Sequence, residues 1–257
     1  MRDINLYNND CLKVLDLLIS LNIKVDAIIT DPPFGTTKCK WDVIIPFDEM
    51  WKRLNKIIKP NGAIVLFGNE PFSSALRVSN IKNYKYDWKW DKKLGGNPLN
   101  AKKQPLKTYE DIMVFNKHNY YPIMTIGKMR KKGGVKKQPE HTNKVNLDYS
   151  SVNNLYYPKS ILEFPNVDRK SSIHPTQKPI GLLEYLIKTY TLENEIVLDF
   201  TMGSFSTGIA CVNTNRRFIG IESDEDIFNR GLDRFNNHLN LTNKNHLLIE
   251  IVKGDLN

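Results

Sequence analysis

Three short clusters carry residue types that could do chemistry. The first, Asp31-Pro32-Pro33-Phe34, closes the apolar run Val25-Asp26-Ala27-Ile28-Ile29-Thr30. That run is rich in β-branched residues, reads as a buried strand, and stops where proline cannot donate to a ladder. Proline also biases the preceding residue towards extended geometry, so Asp31 is expected at the strand's carboxyl end, where open α/β sheets bind ligands. Taken alone, the tetrapeptide equally describes a strand followed by a proline turn. The second cluster, His174-Pro175-Thr176-Gln177-Lys178-Pro179, precedes a helical stripe of Leu182, Leu183, Leu186, Ile187 and Tyr190. The third runs from the strand Glu195-Ile196-Val197-Leu198-Asp199 through Phe200-Thr201-Met202-Gly203-Ser204-Phe205 into a helix, then a strand ending at Glu222. Strand, small-residue loop, helix, strand and acid is the layout of a nucleoside-binding crossover. Gly203 lets backbone approach a ligand, and Glu222 can accept from both hydroxyls of a ribose. The glycines do not form a clean G-x-G-x-x-G, and nicotinamide or flavin cofactors fit this layout too.

The elements around these clusters alternate. Ile4-Asn5-Leu6-Tyr7 reads as a strand, and Cys11 opens a helix for which Asp10 is either the N-cap or a ligand contact; spacing favours the cap. Phe47, Met50, Trp51 and Leu54 share a helix face, Pro60-Asn61-Gly62 is a turn, and Ala63-Ile64-Val65-Leu66-Phe67-Gly68 is a second buried strand. A helix near Phe72 and strands at Tyr86-Asp87-Trp88-Lys89-Trp90 and Ile112-Met113-Val114-Phe115 continue the pattern. From 116 to 158 it disappears into glycine and lysine. We therefore expect an α/β domain from 1–115 and 159–257, with residues 116–158 as an insert.

Bulk properties narrow the class. Of 257 residues, 40% are apolar and 25% charged, as in an ordinary globular protein. Cys11, Cys39 and Cys211 form no CxxC pair, which argues against zinc ribbons and disulfide scaffolds and suits a reducing cytoplasm. The opening residues do not resemble a signal peptide, and no run approaches a membrane span. Cys11 and Cys211 read as small core residues. His118 and His141 lack partners at ligand spacing and read as solvated, so no metal is expected; His174 receives no acid–base role. Trp41 fits either core or a base pocket. Charge is uneven: residues 81–144 hold 16 Lys/Arg against five Asp/Glu, whereas the remainder holds 21 against 23. Such a block suits a polyanion partner, most simply nucleic acid, or else a solvated lysine-rich loop.

In their order, the three clusters resemble the amino-group DNA methyltransferases of the β class. The resemblance implies a Rossmann-like methyltransferase fold, a mostly parallel seven-stranded sheet with circularly permuted motif order, and a basic target-recognition insert at 116–158. It implies S-adenosyl-L-methionine as cofactor: Asp10 and Cys11 at its adenine, Glu222 at its ribose, and Asp199, Phe200, Thr201, Gly203 and Ser204 with Thr176 and Lys178 around its methionine portion. Asp31 and the carbonyl of Pro32 would face the target amine, Pro33 belongs to the same catalytic motif, and Phe34 would stack on a flipped base. Lys117, Lys128, Arg130, Lys131, Lys132, Lys136 and Lys137 would track phosphates of double-stranded DNA.

The implied activity is methyl transfer to adenine N6; the alternatives are cytosine N4 or a catalytically silent DNA-binding relative. The last is raised by Phe205, which stands where the family loop usually carries a second glycine. Its ring either crowds the methionine portion or turns to the core, and the intact remaining motifs favour the core. A homodimer, a partner restriction endonuclease and a cytoplasmic, nucleoid-associated location complete what the resemblance allows.

Overall fold

A computed structural model of the protein describes residues 2–39, 42–133, 150–167 and 177–254. The chain forms β1 (Ile4–Asn8), α1 (Cys11–Ser20), β2 (Val25–Thr30), α2 (Phe47–Ile57), β3 (Ile58–Gly68) and α3 (Phe72–Ser79). β4 (Tyr84–Gly96), β5 (Lys107–Phe115), β6 (Thr125–Gly133), β7 (Ser150–Tyr156) and β8 (Ile161–Glu163) follow. The remainder is α4 (Ile180–Tyr190), β9 (Ile196–Asp199), α5 (Ser206–Asn213), β10 (Arg217–Glu222), α6 (Glu225–Leu241) and β11 (Ile249–Lys253).

Two compact units result, Met1–Tyr121 with Ser160–Asn257, and Pro122–Lys159. The larger holds a mostly parallel sheet in the order β11-β1-β10-β9-β2-β3-β5-β4-β8, in which β5 alone runs against its neighbours. The expected α/β class is present, with nine strands instead of seven because β8 and β11 lengthen the two edges. Side chains alternate across the sheet. Ala63, Val65 and Phe67 of β3 join a core with α4, α5 and α6, while Ile64 and Leu66 join a second with α1, α2 and α3. α2 shows how periodicity becomes packing: Met50, Trp51, Leu54 and Ile57 form its buried stripe. Truncating Leu54, fully buried there, to alanine would cost about 2–5 kcal/mol.

Three expectations change. Pro60-Asn61-Gly62 is not a turn before β3 but part of a bulge inside it. Val25 pairs with Ile58 and Ala27 with Ala63, so the intervening residues of β3 loop out opposite Asp26, where Pro60 has no N–H to give. Residues 116–121 belong to the larger unit, because Asn116 donates to the Gly62 carbonyl (2.8 Å) and Tyr121 N–H to that of Thr189 (2.8 Å). His118 is not solvated. Its Nδ1 donates to the Asn116 carbonyl (2.9 Å), leaving Nε2 to accept from the Tyr86 hydroxyl (3.0 Å), and burial lowers its pKa.

In the smaller unit β6 and β7 pair antiparallel. The Arg130 guanidinium lies 4.0 Å from the centroid of the Tyr156 ring. Among the described residues no helix is long and apolar enough to cross a membrane.

Candidate active site

The sheet's pairing explains why distant segments meet. Parallel registers that align Asn8 with Glu222, Gly220 with Asp199 and Thr30 with Leu66 bring the carboxyl ends of five neighbouring strands to one edge. β5 is reversed, so it begins there: Gly68 pairs with Asp111, putting Glu110 just beyond the end of β3. Trp90 of β4 pairs with Glu110, and Lys92 follows on the same strand. A cavity of about 620 Å³ opens at this edge, lined among others by Asp10, Asp31, Phe34, Gly203, Lys178 and Glu222. Its size and position are those of a small-molecule site at the strand ends of an α/β sheet.

Hydrogen bonds stitch the first and third clusters together across about 170 residues of chain. The Thr201 hydroxyl donates to the Asp31 carbonyl (3.1 Å), and the Thr30 hydroxyl donates to Asp199 (2.5 Å). Asp199 also accepts from Thr207 Oγ1 (2.6 Å) and Thr201 N–H (3.2 Å), so its carboxylate ties β2, the loop and α5 to one point. Burial raises its pKa, and these donors oppose the rise. Glu222 accepts from the N–H groups of Gly203 (3.0 Å) and Asp224 (2.9 Å), and burial raises its pKa as well. Asp10 is the N-cap of α1, accepting from Leu12 (2.9 Å) and Lys13 (3.1 Å), as spacing favoured; it also lines the cavity. Burial pushes the neighbouring Cys11 thiol up to about 12, so it stays protonated.

The loop between β9 and α5 turns on two left-handed residues, Gly203 (φ +48°) and Phe205 (φ 62°). A Cβ on Gly203 would meet no atom within 4 Å, which leaves space for a ligand against the backbone. The Phe205 ring turns to the core, with ring centroids 5.5 Å from Phe228 and 6.0 Å from Phe235. Phe205 is fully buried and does not line the cavity, whereas Phe200, Thr201 and Ser204 do. Arg234 of α6 braces the loop by donating to the Ser204 carbonyl (2.5 Å) and Ser206 Oγ (3.0 Å).

Around Asp31 the charges alternate. Lys178, expected beside the methionine portion, has its ammonium paired with Asp31 Oδ2 and lies 3.5 Å from Glu110 Oε2, while Lys92 pairs with Glu110 Oε1. Burial pushes the Asp31 carboxyl up to about 6, against the pull of Lys178 and with the help of Glu110 and Asp199. Asp31 keeps 18% of its side-chain surface accessible, but its Oδ1 is buried and has no hydrogen-bond partner among the described residues. One oxygen is committed to Lys178 and the other is a buried acceptor without a donor among the described residues.

Phe34 packs on Phe72 (ring centroids 5.0 Å apart), and its backbone is held by a residue that motif spacing did not single out. Asp42 accepts from four consecutive N–H groups, those of Phe34, Gly35, Thr36 and Thr37, at 2.6–2.9 Å. Glu110, Lys92, Asp42 and Arg234 were not singled out as site residues: Lys92 and Glu110 read only as parts of strands, and only the fold brings the four here. Lys117 is exposed on the larger unit; Lys128, Arg130 and Lys131 are exposed on β6, where Lys132 also lies. Trp41, Lys136, Lys137, His141, His174 and Thr176 lie outside the described residues.

A three-layer α/β fold with an acceptor-lined cavity at its strand ends defines a class, the enzymes that hold a nucleoside cofactor across such an edge. Within that class, the DNA methylase family of N6 and N4 methyltransferases matches residues 25–232, and the chain belongs to it. The chain is 26% identical over 231 residues to the type II methyltransferase M.HpaI of Haemophilus parainfluenzae, covering 84% of this chain and 69% of the relative. It is 29% identical over 235 residues to the DNA adenine methyltransferase YhdJ of Escherichia coli K12, covering 82% and 76%. The structure of M1.HpyAVI in complex with SAM is similar at a TM-score of 0.62 and 28% identity, covering 90% of this chain and 99% of that one. The PvuII cytosine-N4 methyltransferase, at 16% identity and a TM-score of 0.63, shares the fold. The protein is therefore a DNA methyltransferase, and the family's cofactor is S-adenosylmethionine. The cavity suits that cofactor: carboxylates of Asp10, Asp31, Asp199 and Glu222 line it, as a cation with ribose hydroxyls requires, and Gly203 leaves room beside them.

Proposed function

We propose that the protein transfers a methyl group to the N6 amine of an adenine flipped out of duplex DNA. The observation that carries this reading is the junction of the Asp31 segment with the Asp199–Gly203 loop in one cavity, through the Thr201–Asp31 hydrogen bond. Glu222 would take the ribose hydroxyls, Asp10 and Cys11 the adenine end, and the loop from Asp199 to Ser204 the methionine portion. Bound there, S-adenosylmethionine supplies an electrophilic methyl group on sulfur. An exocyclic amine is a poor nucleophile because its lone pair is delocalised into the ring. The Asp31 carboxylate and the Pro32 carbonyl, accepting from its two N–H groups, favour a tetrahedral nitrogen whose lone pair is available. Asp31 then receives the proton that the methylated nitrogen sheds. The protein's contribution is placement and preset charge.

Duplex stacking hides the amine, and extruding the base costs a few kcal/mol. Stacking on Phe34 offsets about 1–3 kcal/mol of it. The unit Pro122–Lys159 would serve target recognition, with Lys128, Arg130, Lys131 and Lys132 on phosphates. The type II names of the relatives support a modification role beside a restriction endonuclease, and the homodimer belongs to the same proposal. Incubation with duplex DNA and cofactor, followed by digestion to nucleosides and mass spectrometry, tests the reading. New N6-methyladenine is expected; N4-methylcytosine alone, or no modified base, overturns it.

A further inference from the structure

Past the cavity wall β4 and β5 continue as a two-stranded arm. Trp90 and Glu110 pair at the wall, and the ladder ends where Gly96 pairs with Lys107. Three strand steps, from Glu110 to Lys107, carry it about 10 Å beyond the wall. β4 takes five steps from Asp91 to Gly96 against two for β5, from Tyr109 to Lys107, and a bulge of that kind bends the ribbon. Ion pairs fix the root: Lys92 with Glu110, and Lys93 with Glu163 and Asp91. Leu106 lies over the Gly95 backbone, where an added Cβ would come within 2.9 Å of its own. The tip is a 3₁₀ turn, Pro98–Asn100, entered through left-handed Asn97 (φ 63°). The Ala101 N–H donates to the Pro98 carbonyl (3.1 Å) and the Lys103 N–H to that of Asn100 (2.8 Å).

This hydrogen-bonded tip turns apolar side chains away from the protein. Leu99 is 95% exposed and Leu94 71%. Around them, residues 92–107 hold five lysines and no Asp or Glu. Lys92 and Lys93 are paired at the root, whereas Lys102, Lys103 and Lys107 have no carboxylate partner among the described residues. The complementary surface is therefore anionic along its flanks and apolar at its centre. A duplex with one base extruded has that form, with phosphates on either side of a gap in the stack. A β-ribbon fits the major groove, about 12 Å wide and about 8.5 Å deep, and leucine is among the side chains that proteins wedge between base steps.

We propose that residues 93–107 are a duplex-gripping arm, with Lys102, Lys103 and Lys107 on phosphates and Leu99 filling the place in the stack that the extruded base leaves. This rests on the reading of the cavity as the pocket for that base, and adds what keeps the duplex open beside it. With Leu99 in the gap, the target base cannot return to its partner. Leu99 thus acts on the opening of the base pair and not on the transfer step. Its contribution must then disappear when the pair is already weak.

The experiment uses the full-length protein and a duplex carrying the methylated site, mapped by sequencing DNA from cells that express it. Single-turnover methyl transfer is measured with the target base paired and with it mismatched, which lowers the cost of extrusion. Leu99→Ala is expected to slow transfer on the paired duplex by roughly 10- to 100-fold, the effect of one buried leucine, and on the mismatched duplex by no more than about twofold. Its urea midpoint stays native, because the side chain touches little of its own protein. Equal slowing on both duplexes, or none on either, overturns the inference. Fluorescence anisotropy on a duplex of arbitrary sequence gives log Kd against log salt. Lys102→Gln combined with Lys103→Gln is expected to flatten that slope by about 1.8, from about 0.9 per lost contact, and a native slope overturns the inference. The slope needs no chemistry: flattened in a protein that methylates no base, it sinks the activity reading and leaves the arm on DNA.

Discussion

Phe205 and Gly231 form a single adaptation, and a double-mutant cycle measures it. A Cβ on Gly231 would lie 2.2 Å from Cδ2 of the Phe205 ring, 2.6 Å from its Cε2 and 2.9 Å from the Gly203 carbonyl oxygen. The ring is wedged against Phe228 and Phe235, so no flexible end can swing aside. Gly231→Ala gains about 1 kcal/mol of helix propensity but meets overpacking near the upper end of about 1–3 kcal/mol, a net loss of about 2. Phe205→Gly forfeits about 3–5 kcal/mol for the buried ring and recovers about 1–2 from its left-handed backbone, a net loss of about 2–3. Independent sites would give a double variant less stable by about 4–5 kcal/mol. In the double variant the alanine methyl instead enters volume the ring has left and only its 2.9 Å approach to the Gly203 carbonyl oxygen remains, which offsets the helix gain, so the loss shrinks to about 2.5 kcal/mol. Urea unfolding of the four proteins, followed by circular dichroism, yields this coupling of about 2 kcal/mol directly. Additivity to within about 0.5 kcal/mol would refute the pairing. Calorimetry on the same set adds a second check. The native protein is expected to bind S-adenosylmethionine, and binding by Phe205→Gly alone would mean that the ring does crowd the cofactor.

Asp31→Asn keeps the size of the side chain but not its charge, and is expected to slow methyl transfer by at least about 100-fold while weakening cofactor affinity in calorimetry by much less, since Asp10, Asp199 and Glu222 still line the cavity. Asp42→Asn leaves two of four clustered N–H groups facing an amide that donates, so it should cost roughly 2–4 kcal/mol and lower kcat/KM for DNA by loosening Phe34. Burial opposes ionised Asp42, but hydrogen bonds from Thr37, Gly35 and Thr36 outweigh it and depress its pKa. Its stabilisation is therefore present above the ordinary carboxylate value and lost as pH falls through the depressed one, where urea curves of native and variant should converge. Raising salt from 50 to 200 mM should weaken DNA binding by roughly a thousandfold, if at least six of the basic residues meet phosphates. Fluorescence anisotropy reads that loss, and a shallow dependence would remove the phosphate role.

What could be read from the sequence was whatever local patterns encode. Asp31, Asp199 and Glu222 were locatable because each terminates an apolar run, and the end of a parallel strand is where such a sheet binds. Asp10 was legible as a cap because its spacing to the following helix is local too. The four missed residues share the opposite property. Glu110 and Lys92 matter only because β5 runs against its neighbours, and the sequence between residues 84 and 115 carries no sign of strand direction. Asp42 acts through a loop without periodicity, and Arg234 through a helix that the reading never reached. Gly231 could not be connected with Phe205, since nothing local ties a helix glycine to a loop residue 26 positions earlier. Strand ends are local information; what faces them across the cavity is tertiary.

The same distinction governs charge. The middle of the chain reads as basic, yet two of its acids do not lie on the surface with the lysines. Asp111 is buried in ion pairs with Arg77 and Lys89 on one side of β5, and its neighbour Glu110 points the other way, into the cavity wall. One strand therefore divides its carboxylates by alternation alone, sending one to a cavity that must hold a cationic cofactor and the other to ion pairs on the opposite face. Exposed charges separated by more than about 8 Å are screened at physiological salt, whereas contacts inside the cavity are screened far less. The acidic cavity can thus retain its sign inside a protein of net charge +9, because the ions that dress its surface do not reach the Asp31–Lys178 pair.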